Sequence, residues 1–373
     1  MPAGRYAPSP SGTLHLGNLR TAILAWLFAR QTDRDFLLRI EDLDRVRSGA
    51  EAEQLTDLSA IGVTWDSAPV RQSERLPLYE DALTTLGGLG STVEDGLVYE
   101  CFCSRKDIAE ATSAPHLPSA TPHPSSSTAD MPVTPPVSPA SPPDSILPSQ
   151  DPAPALVLPP GSYPGTCRNL SGSERERRRA ERPAALRINA ARAAGLPEGH
   201  PPVHRVTDRL NGTVQAAVDD FVLRRNDGAF AYNLAVVVDD LAQGVDQVVR
   251  GDDLLSSAPR QDWLARLLAE RNGLPVPHTE YIHVPLVLNA AGQRLAKRDG
   301  AVTLADLTAL PRGGWSPARV RDLLLDSLGL PAGPLDQVLG RFDSEAVPRA
   351  PWTPPQAVIG PAETPEEKIR FHR

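Results

Sequence analysis

A chain of 373 residues with a formal net charge of −8 and three cysteines has room for two or three domains and a sizeable core. Three cysteines cannot form a disulfide framework. The negative net charge gives no argument for a nucleic-acid partner. The densest basic patch, 173–182, could bind nucleic acid but could equally be a solvated helix face. Apolar runs are too short to cross a bilayer and the first residues lack the apolar core of a signal peptide, so we expect a cytoplasmic protein without a membrane partner.

The first elements in the chain are a turn, a helix and a strand. The Pro- and Ser-rich stretch 7–14 predicts a turn, and apolar residues spaced three and four apart predict an amphipathic helix over 19–32. The run 35–40 predicts a short buried strand that ends at the acidic stretch 41–44. Loop, helix, strand and acidic turn therefore follow one another closely.

The composition changes in the middle of the chain. Residues 111–161 are rich in Pro, Ser, Thr and Ala, which predicts a disordered insertion. After it, 184–189 and 221–240 predict strands, the second containing an Asn-Asp-Gly turn that suggests a hairpin. The stretch 281–300 predicts a strand, a Gly-containing turn and a basic loop, and one helix is predicted within 316–330.

The order of these elements predicts the fold class. Strands and helices that alternate around an interruption indicate an α/β protein, with a Rossmann-type parallel sheet that is split by an inserted subdomain. The predicted parts are the first half of the sheet domain (1–96), the inserted subdomain (97–220), the second half with the basic loop (221–300) and a short helical C-terminal region (301–373).

Two short motifs could hold phosphate groups. His-Leu-Gly-Asn at 15–18 is, taken alone, more typical of a helix cap or a surface turn. Gly12 and Gly17, however, let a ligand approach the backbone, and the helix start offers unpaired N–H groups and a positive dipole end. Arg-Leu-Ala-Lys-Arg at 294–298 is ordinarily a solvated turn, but Lys297 could reach charge developing on a phosphoryl group. Two phosphate sites on one chain indicate ATP chemistry.

These motifs resemble those of the class I aminoacyl-tRNA synthetases, and within them the glutamyl branch. Pro8 to Asn18 resembles the HIGH region, and Arg294 to Arg298 resembles KMSKS. The further segments that match in order are "LLRIEDLD" (37–44), "GVTWD" (62–66), "RQSERLPLYEDAL" (71–83), "FAYNLAVVVDD" (230–240) and "VVRGDDLLSSAPRQ" (248–261). The chain departs from the family pattern at Asn18, where HIGH ends in His, and at positions 294 and 296 of the KMSKS counterpart. It retains the second Lys of that motif as Lys297.

Within this branch the sequence is similar to the shorter glutamyl-queuosine tRNA(Asp) synthetases, since it ends at Arg373 without the helical anticodon-binding region of ordinary glutamyl-tRNA synthetases. The resemblance implies attachment of glutamate to the cyclopentenediol of queuosine at the wobble position of tRNA(Asp). The implied partners are L-glutamate, ATP with Mg²⁺ and queuosine-containing tRNA(Asp), and the implied state is a monomer. Two alternatives stay open, a truncated glutamyl-tRNA synthetase that charges an acceptor end and a catalytically silent tRNA-binding paralogue.

The resemblance also implies residue roles. Arg5 and Arg250 would hold the carboxylates of L-glutamate, and Glu41 would hold its amino group. The other residues implied for L-glutamate binding are Tyr6, Ala7, Pro8, Ser9 and Tyr232. The residues implied for ATP binding are His15, Gly17, Asn18 and Lys297, of which His15 and Lys297 would be catalytic. From the residues alone, Arg250 and Glu41 could be ordinary ion pairs and Tyr232 a core residue.

The cysteines form part of a possible metal site. A C-x-C pair and a later Y-x3-C pair resemble the zinc constellation of the shorter synthetases, and thiolates suit Zn²⁺ because it accepts soft ligands in a closed tetrahedral site. The implied ligands of one structural Zn²⁺ are Cys101, Cys103, Tyr163 and Cys167. His116 or His123 could replace Tyr163, and three ordinary buried or surface cysteines are the alternative.

Overall fold

The chain folds into two β-sheets and the helices that pack on them. The computed structural model describes residues 2–87, 96–104, 106–108, 162–289, 291–293, 295, 302–309, 314–355 and 358. In this part of the chain the strands are β1 (Ala3–Tyr6), β2 (Asp35–Ile40), β3 (Val70–Arg71), β4 (Val98–Cys101), β5 (Ala185–Ile188), β6 (Val203–Asp208), β7 (Gly212–Ala217), β8 (Val222–Arg224), β9 (Val245–Gly251) and β10 (Glu280–Val284). The α-helices are α1 (Leu16–Gln31), α2 (Ala50–Ala60), α3 (Leu76–Thr85), α4 (Gly172–Glu181), α5 (Ala190–Ala193), α6 (Tyr232–Ala242), α7 (Ala258–Arg271), α8 (Leu304–Thr308), α9 (Pro317–Asp326) and α10 (Leu335–Leu339). Short 3-10 helices span Gln72–Glu74 and Asp252–Ser257.

The larger sheet is mostly parallel. Its seven strands follow the order β3-β2-β1-β9-β10-β6-β7, and every neighbouring pair is parallel except β6 with β7. The smaller sheet has three antiparallel strands in the order β4-β5-β8. The predicted α/β class with a mainly parallel sheet is therefore confirmed.

Helix α1 lies at the centre of the main core. It packs on β1, β2 and β9 with one side and on α9 and α10 with the other. Apolar residues on several faces of the helix, such as Leu19, Leu24 and Leu27, are therefore fully buried. The helix predicted over 19–32 is confirmed, and it begins three residues earlier because the side chain of His15 caps it.

The apolar stretch after the Asn-Asp-Gly turn is a helix, so the predicted second strand of that hairpin is wrong. After the turn the chain pairs with β8 only through a bridge between Arg224 and Phe230. It then enters α6, in which residues 234–238 are all buried. A buried apolar run of this length fits a strand or a helix equally well, so its periodicity could not distinguish them.

Other predicted elements are where the sequence put them. The strands predicted at 35–40 and 184–189 are β2 and β5, and the strand that opens 281–300 is β10. The helix predicted within 316–330 is α9. None of the helices in the described part of the chain is long and apolar enough to cross a membrane.

The stretch predicted as an inserted subdomain, 97–220, contributes to both sheets. Strands β6 and β7 extend the larger sheet, whereas β4 and β5 pair with β8 in the smaller one. The predicted disordered insertion at 111–161 lies outside the described residues. The division into 1–96, 97–220, 221–300 and 301–373 stays a prediction.

Asp239 of α6 joins several elements inside the core. Its fully buried carboxylate accepts hydrogen bonds from Gln72 Nε2 (2.8 Å), Arg75 Nε (2.6 Å) and Tyr79 Oη (2.9 Å). It also lies 3.7 Å from Nε of Arg39 in β2. Burial of a carboxylate is tolerated when donors and cations surround it, and here they tie α6 to β2 and α3.

Replacing Asp239 with Ala should lower the free energy of unfolding by about 3–5 kcal/mol, because the arginines and polar donors around it stay buried without an acceptor. The control is Asp81→Ala, at an exposed position of α3, which should change stability by less than about 0.5 kcal/mol. Urea unfolding measures both variants. Equal losses in the two would contradict the role of Asp239.

Candidate active site

The carboxyl ends of three parallel strands bring charged side chains to one edge of the larger sheet. Arg5 lies near the end of β1, where it is in register with Leu37 of β2 and Val248 of β9. Glu41 follows β2 directly, and Arg250 is the penultimate residue of β9. In open parallel sheets this edge is where ligands bind.

The Pro- and Ser-rich opening segment crosses this edge as an ordered turn. The carbonyl of Pro8 accepts from the N–H of Glu41 at 3.0 Å. Gln54 of α2, whose side chain is buried, donates from Nε2 to the carbonyls of Ser9 (3.0 Å) and Gly12 (2.6 Å). The backbone of the segment is therefore held from both β2 and α2.

The helix start that follows the turn is capped by His15. Nδ1 of its ring accepts from the N–H groups of Gly17 (3.1 Å) and Asn18 (3.4 Å), and Oδ1 of Asn18 accepts in return from the N–H of His15 at 3.2 Å. The N–H of Leu16 donates to the carbonyl of Val302 at 3.1 Å. The expectation of unpaired N–H groups at this helix start is therefore wrong.

These hydrogen bonds assign the state of the His15 ring. Since Nδ1 accepts, the neutral imidazole carries its hydrogen on Nε2, which makes that atom a donor. A Cβ at Gly17 would lie 3.0 Å from Cε1 and 3.1 Å from Nδ1 of the ring. Glycine at position 17 thus leaves room for the imidazole to fold back on the helix, which is a different use from close approach of a ligand.

A chain of buried and partly buried charges links Arg5 to Glu41. Nε of Arg5 lies 3.4 Å from Oδ1 of Asp240, and the same oxygen accepts from Nη1 of Arg39 at 2.7 Å. Nη2 of Arg39 lies 3.6 Å from Oε1 of Glu41. Burial raises the pKa of Glu41 above its usual range, although Arg39 and Arg5 oppose the shift. Burial therefore disfavours the ionised form of the Glu41 carboxyl group.

Arg250 has a different environment, because its hydrogen-bond partners are all neutral acceptors. Nε donates to Nε2 of His283 at 2.9 Å, and Nη1 donates to Oε1 of Gln261 at 2.7 Å and Oη of Tyr232 at 3.4 Å. Nη2 donates to the carbonyl of Leu254 at 3.4 Å. Within the described residues no carboxylate forms an ion pair with Arg250, so the ordinary ion pair that the sequence left open is not found.

One cleft of about 730 Å³ brings the predicted binding residues together. The lining residues that the sequence had assigned to L-glutamate or ATP are Arg5, Tyr6, Ala7, Pro8, Ser9, His15, Gly17, Asn18, Glu41, Tyr232 and Arg250. Tyr232 begins α6 with 39% of its surface exposed, so it is not the core residue that its apolar neighbours suggested. Their shared location makes the cleft the candidate active site.

Lys297 and most of the KMSKS-like motif, Arg294 to Arg298, lie outside the described residues. Leu295, the one described residue of the motif, lines the cleft. After the motif, Thr303 forms a bridge with His15. Leu295 inside the motif and Thr303 after it therefore lie close to the HIGH-like turn.

The three cysteines form a cluster away from the cleft. The Sγ atoms of Cys101, Cys103 and Cys167 all lie within 4.8 Å of one another, and Oη of Tyr163 lies 3.6 Å from Sγ of Cys103. A hydrogen bond from the Cys101 thiol lowers the pKa of Cys167 to about 6. In a tetrahedral zinc site, sulfur ligands about 2.3 Å from the ion are separated by about 3.8 Å. The donor set and its spacing fit a metal ion.

The basic patch at 173–182 corresponds to helix α4, and ion pairs neutralise much of its charge. Glu174 pairs with Arg177 at 2.6 Å and Arg178 at 2.8 Å, and Arg179 pairs with Glu100 of β4 at 2.7 Å. These pairs favour the solvated helix face over a dedicated nucleic-acid patch.

Comparison with known proteins identifies the family. The family described as "tRNA synthetases class I (E and Q), catalytic domain" matches residues 3–130 and 159–323. A protein of Nocardia farcinica named glutamyl-Q tRNA(Asp) synthetase is 52% identical over 365 residues, 97% of this chain and 96% of its own. The chain belongs to this family of class I tRNA synthetases. It is therefore a ligase.

Further comparisons agree with this synthetase family. A glutamyl-Q tRNA(Asp) synthetase of Symbiobacterium thermophilum is 40% identical over 378 residues, 96% of this chain and 98% of its own. The structure of a glutamate tRNA ligase from Elizabethkingia meningosepticum, in complex with its amino acid, covers 95% of this chain with a TM-score of 0.64 and 23% sequence identity. The match spans 67% of that ligase chain and shows a shared fold.

Several residues around the cleft of this synthetase were missed from the sequence. Arg39 and His283 are fully buried polar residues within apolar strands, a signal that could have marked them. Gln54 and Gln261 are also buried, but nothing in their local sequence distinguishes them from solvated helix residues. Their roles follow only from the elements that fold over them.

Proposed function

We propose that this synthetase activates L-glutamate with ATP and transfers the glutamyl group to queuosine at the wobble position of tRNA(Asp). The observation that carries the proposal is the convergence of Arg5, Arg250 and Glu41 with the His15 turn in one cleft. The name shared by the relatives from Nocardia farcinica and Symbiobacterium thermophilum supports the choice of tRNA. The proposed location is the cytoplasm, and the proposed state is a monomer.

Glutamate, with two carboxylates and one ammonium group, matches the charges of the cleft. Arg5 and Arg250 hold the carboxylates, and Glu41 holds the ammonium group. Tyr232 adds a hydroxyl group at the rim, while Tyr6, Ala7, Pro8 and Ser9 form the floor along the opening turn. Each charge-assisted hydrogen bond of this kind contributes about 1.5–3 kcal/mol.

The first reaction step needs little proton chemistry. The α-carboxylate of glutamate attacks the α-phosphorus of ATP, pyrophosphate leaves, and glutamyl-adenylate remains, so positioning and charge stabilisation supply most of the catalysis. His15 donates from Nε2 to a phosphate oxygen beside Gly17 and Asn18, and Lys297 supplies a positive charge. Mg²⁺ bound with ATP neutralises triphosphate charge.

The second step moves the glutamyl group to the modified nucleoside. A hydroxyl group of the queuosine cyclopentenediol attacks the carbonyl carbon of the adenylate, its proton is released, and AMP leaves. The open cleft, about 730 Å³ in volume, has room for more than an amino acid, which suits entry of a nucleoside from the anticodon.

The test is to incubate the protein with labelled glutamate, ATP and tRNA(Asp), with and without queuosine, and to locate the label by ribonuclease mapping. We expect label in the anticodon fragment, and only with queuosine-containing tRNA(Asp). Label at the 3′ end would replace the proposal with acceptor-end charging. Absence of glutamate-dependent ATP–pyrophosphate exchange would instead indicate a catalytically silent tRNA-binding paralogue.

Replacing Glu41 with Gln should raise the KM for glutamate about 10- to 100-fold, because the ammonium group loses its charged acceptor. In the unmodified protein the KM should also rise as the pH falls through the raised pKa of Glu41, and the Gln variant should lose this dependence. Steady-state ATP–pyrophosphate exchange across the pH range measures both effects.

The same substitution should stabilise the protein at neutral pH. A folded-state pKa raised above 4.5 means that Glu41 contributes stability below its unfolded pKa and loses it as the pH rises through the folded pKa. Glu41→Gln should therefore raise Tm at pH 7, whereas Glu176→Gln on the exposed side of α4 should not. A lowered Tm for Glu41→Gln would contradict the burial cost.

We further infer that the cysteine cluster holds one structural Zn²⁺ with Tyr163 as the fourth ligand. Purified protein should contain about one zinc ion per chain, and Cys167→Ser should lose most of it. Tyr163→Phe should weaken zinc retention against a chelator, while Ser104→Ala, next to the cluster, should not. The zinc content of each variant is measured by mass spectrometry. A full zinc content in Cys167→Ser would contradict the proposed site.

A further inference from the structure

Three neighbouring strands carry a buried polar chain that ends at Arg250. In the sheet order β9-β10-β6, Arg250 is in register with His283, and Asp208 lies on the next strand opposite Tyr281. Nδ1 of His283 is 2.7 Å from Oδ2 of Asp208, and Nε2 of the same ring accepts from Nε of Arg250 at 2.9 Å. His283 is fully buried, and Asp208 and Arg250 are 1% and 6% exposed. Only Arg250 of the three lines the cleft.

The hydrogen bonds assign one protonation state to this chain. An arginine can only donate, so Nε2 of His283 must be the acceptor and the ring hydrogen must sit on Nδ1, where it is donated to Asp208. Asp208 is an ionised acceptor, since its two oxygens also receive the N–H groups of Leu210, Asn211 and His283. Burial and the nearby positive charge of Arg250 lower the pKa of His283, in agreement with a neutral ring.

A directly paired carboxylate often accepts from two N–H groups of an arginine at once, whereas the histidine in this position accepts from one. It uses the Nε–H of Arg250, which orients the guanidinium plane, and Gln261 and Leu254 then occupy donors of the two terminal nitrogens. Of the five N–H donors of an arginine, this leaves at least one on Nη2 for a ligand. The histidine also keeps the charge of Asp208 one imidazole away from Arg250, and among the described residues no carboxylate pairs directly with Arg250.

We propose that His283, held in a single tautomer by Asp208, is a positioning residue that presents Arg250 to the carboxylate of the amino-acid substrate. The inference rests on the proposed function only in taking glutamate as the ligand of Arg250. The ring of Tyr281 lies nearly parallel to the imidazole of His283, with the two centroids 6.2 Å apart. The alternative is that His283 only satisfies the hydrogen bonds of its buried neighbours. Its replacement would then lower the stability of the protein without a selective effect on the KM for glutamate.

Two substitutions of His283 separate the halves of the interaction. His283→Gln keeps an acceptor where Nε2 meets Arg250 and loses the side-chain donor to Asp208, whereas His283→Asn keeps that donor and loses the acceptor. The KM for glutamate should rise about 10- to 100-fold in the Asn variant and only about 2- to 3-fold in the Gln variant. The KM for ATP should be unchanged in both, measured by ATP–pyrophosphate exchange per active site.

The outcomes distinguish a failure of the proposed function from a failure of the positioning role of His283. If the unmodified protein shows no glutamate-dependent exchange, the proposed function fails. If it is active and the Asn and Gln variants have the same KM for glutamate, or if KM for ATP rises in parallel, the positioning role is overturned.

Asp208→Asn provides a second test should the His283 variants fail to fold. It weakens the preference for the Nδ1–H tautomer, so the KM for glutamate should again rise while that for ATP should not. An unchanged KM for glutamate in folded Asp208→Asn would overturn the proposal.

Discussion

Parallel pairing of β1 with β2 on one side and with β9 on the other is the constraint on which the site depends. It places Arg5 opposite Leu37 and Val248, so the chain leaves all three strands at one edge of the sheet. Glu41 and Arg250 reach that edge from segments far apart in sequence. A slip of one residue in either pairing would turn the Arg5 side chain to the other face. Backbone hydrogen bonds, rather than attraction between the charged groups, therefore assemble the cleft.

The arginines in and behind the cleft differ in their electrostatic partners. Arg39 is buried beside Asp240 and Glu41 and compensates carboxylates that would otherwise be too costly to ionise in the interior. Arg5 shares Asp240 with Arg39, whereas the partners of Arg250 among the described residues are neutral. Burial acts against the charge of Glu41 in the same space. Burial of the Glu41 charge is thus an unfavourable interaction that a ligand of complementary charge can relieve.

A local sequence pattern predicted the correct element where the pattern was compatible with only one type of secondary structure. The spacing of apolar residues in α1 allowed no close alternative, and this helix is confirmed. The run 234–238 was compatible with a strand or a helix, and packing beneath α3 and α7 decided for α6. His15 shows the same limit at the level of one side chain. The sequence predicted that His15 precedes a helix. It did not predict that the His15 side chain accepts hydrogen bonds from the N–H groups of Gly17 and Asn18.

The amino-acid sequence by itself determined the family, the mainly parallel α/β fold and most of the residues that line the cleft, because ordered motifs and apolar periodicity are local properties of the chain. Only the tertiary structure decided how those residues are paired. That Arg250 meets an imidazole rather than a carboxylate, and that Arg39 and Gln54 support the site from behind, depends on strand order and helix packing across long separations. Sequence spacing does not predict such contacts. They depend on which strands and helices become neighbours in the fold, and not on which residues are adjacent in the chain.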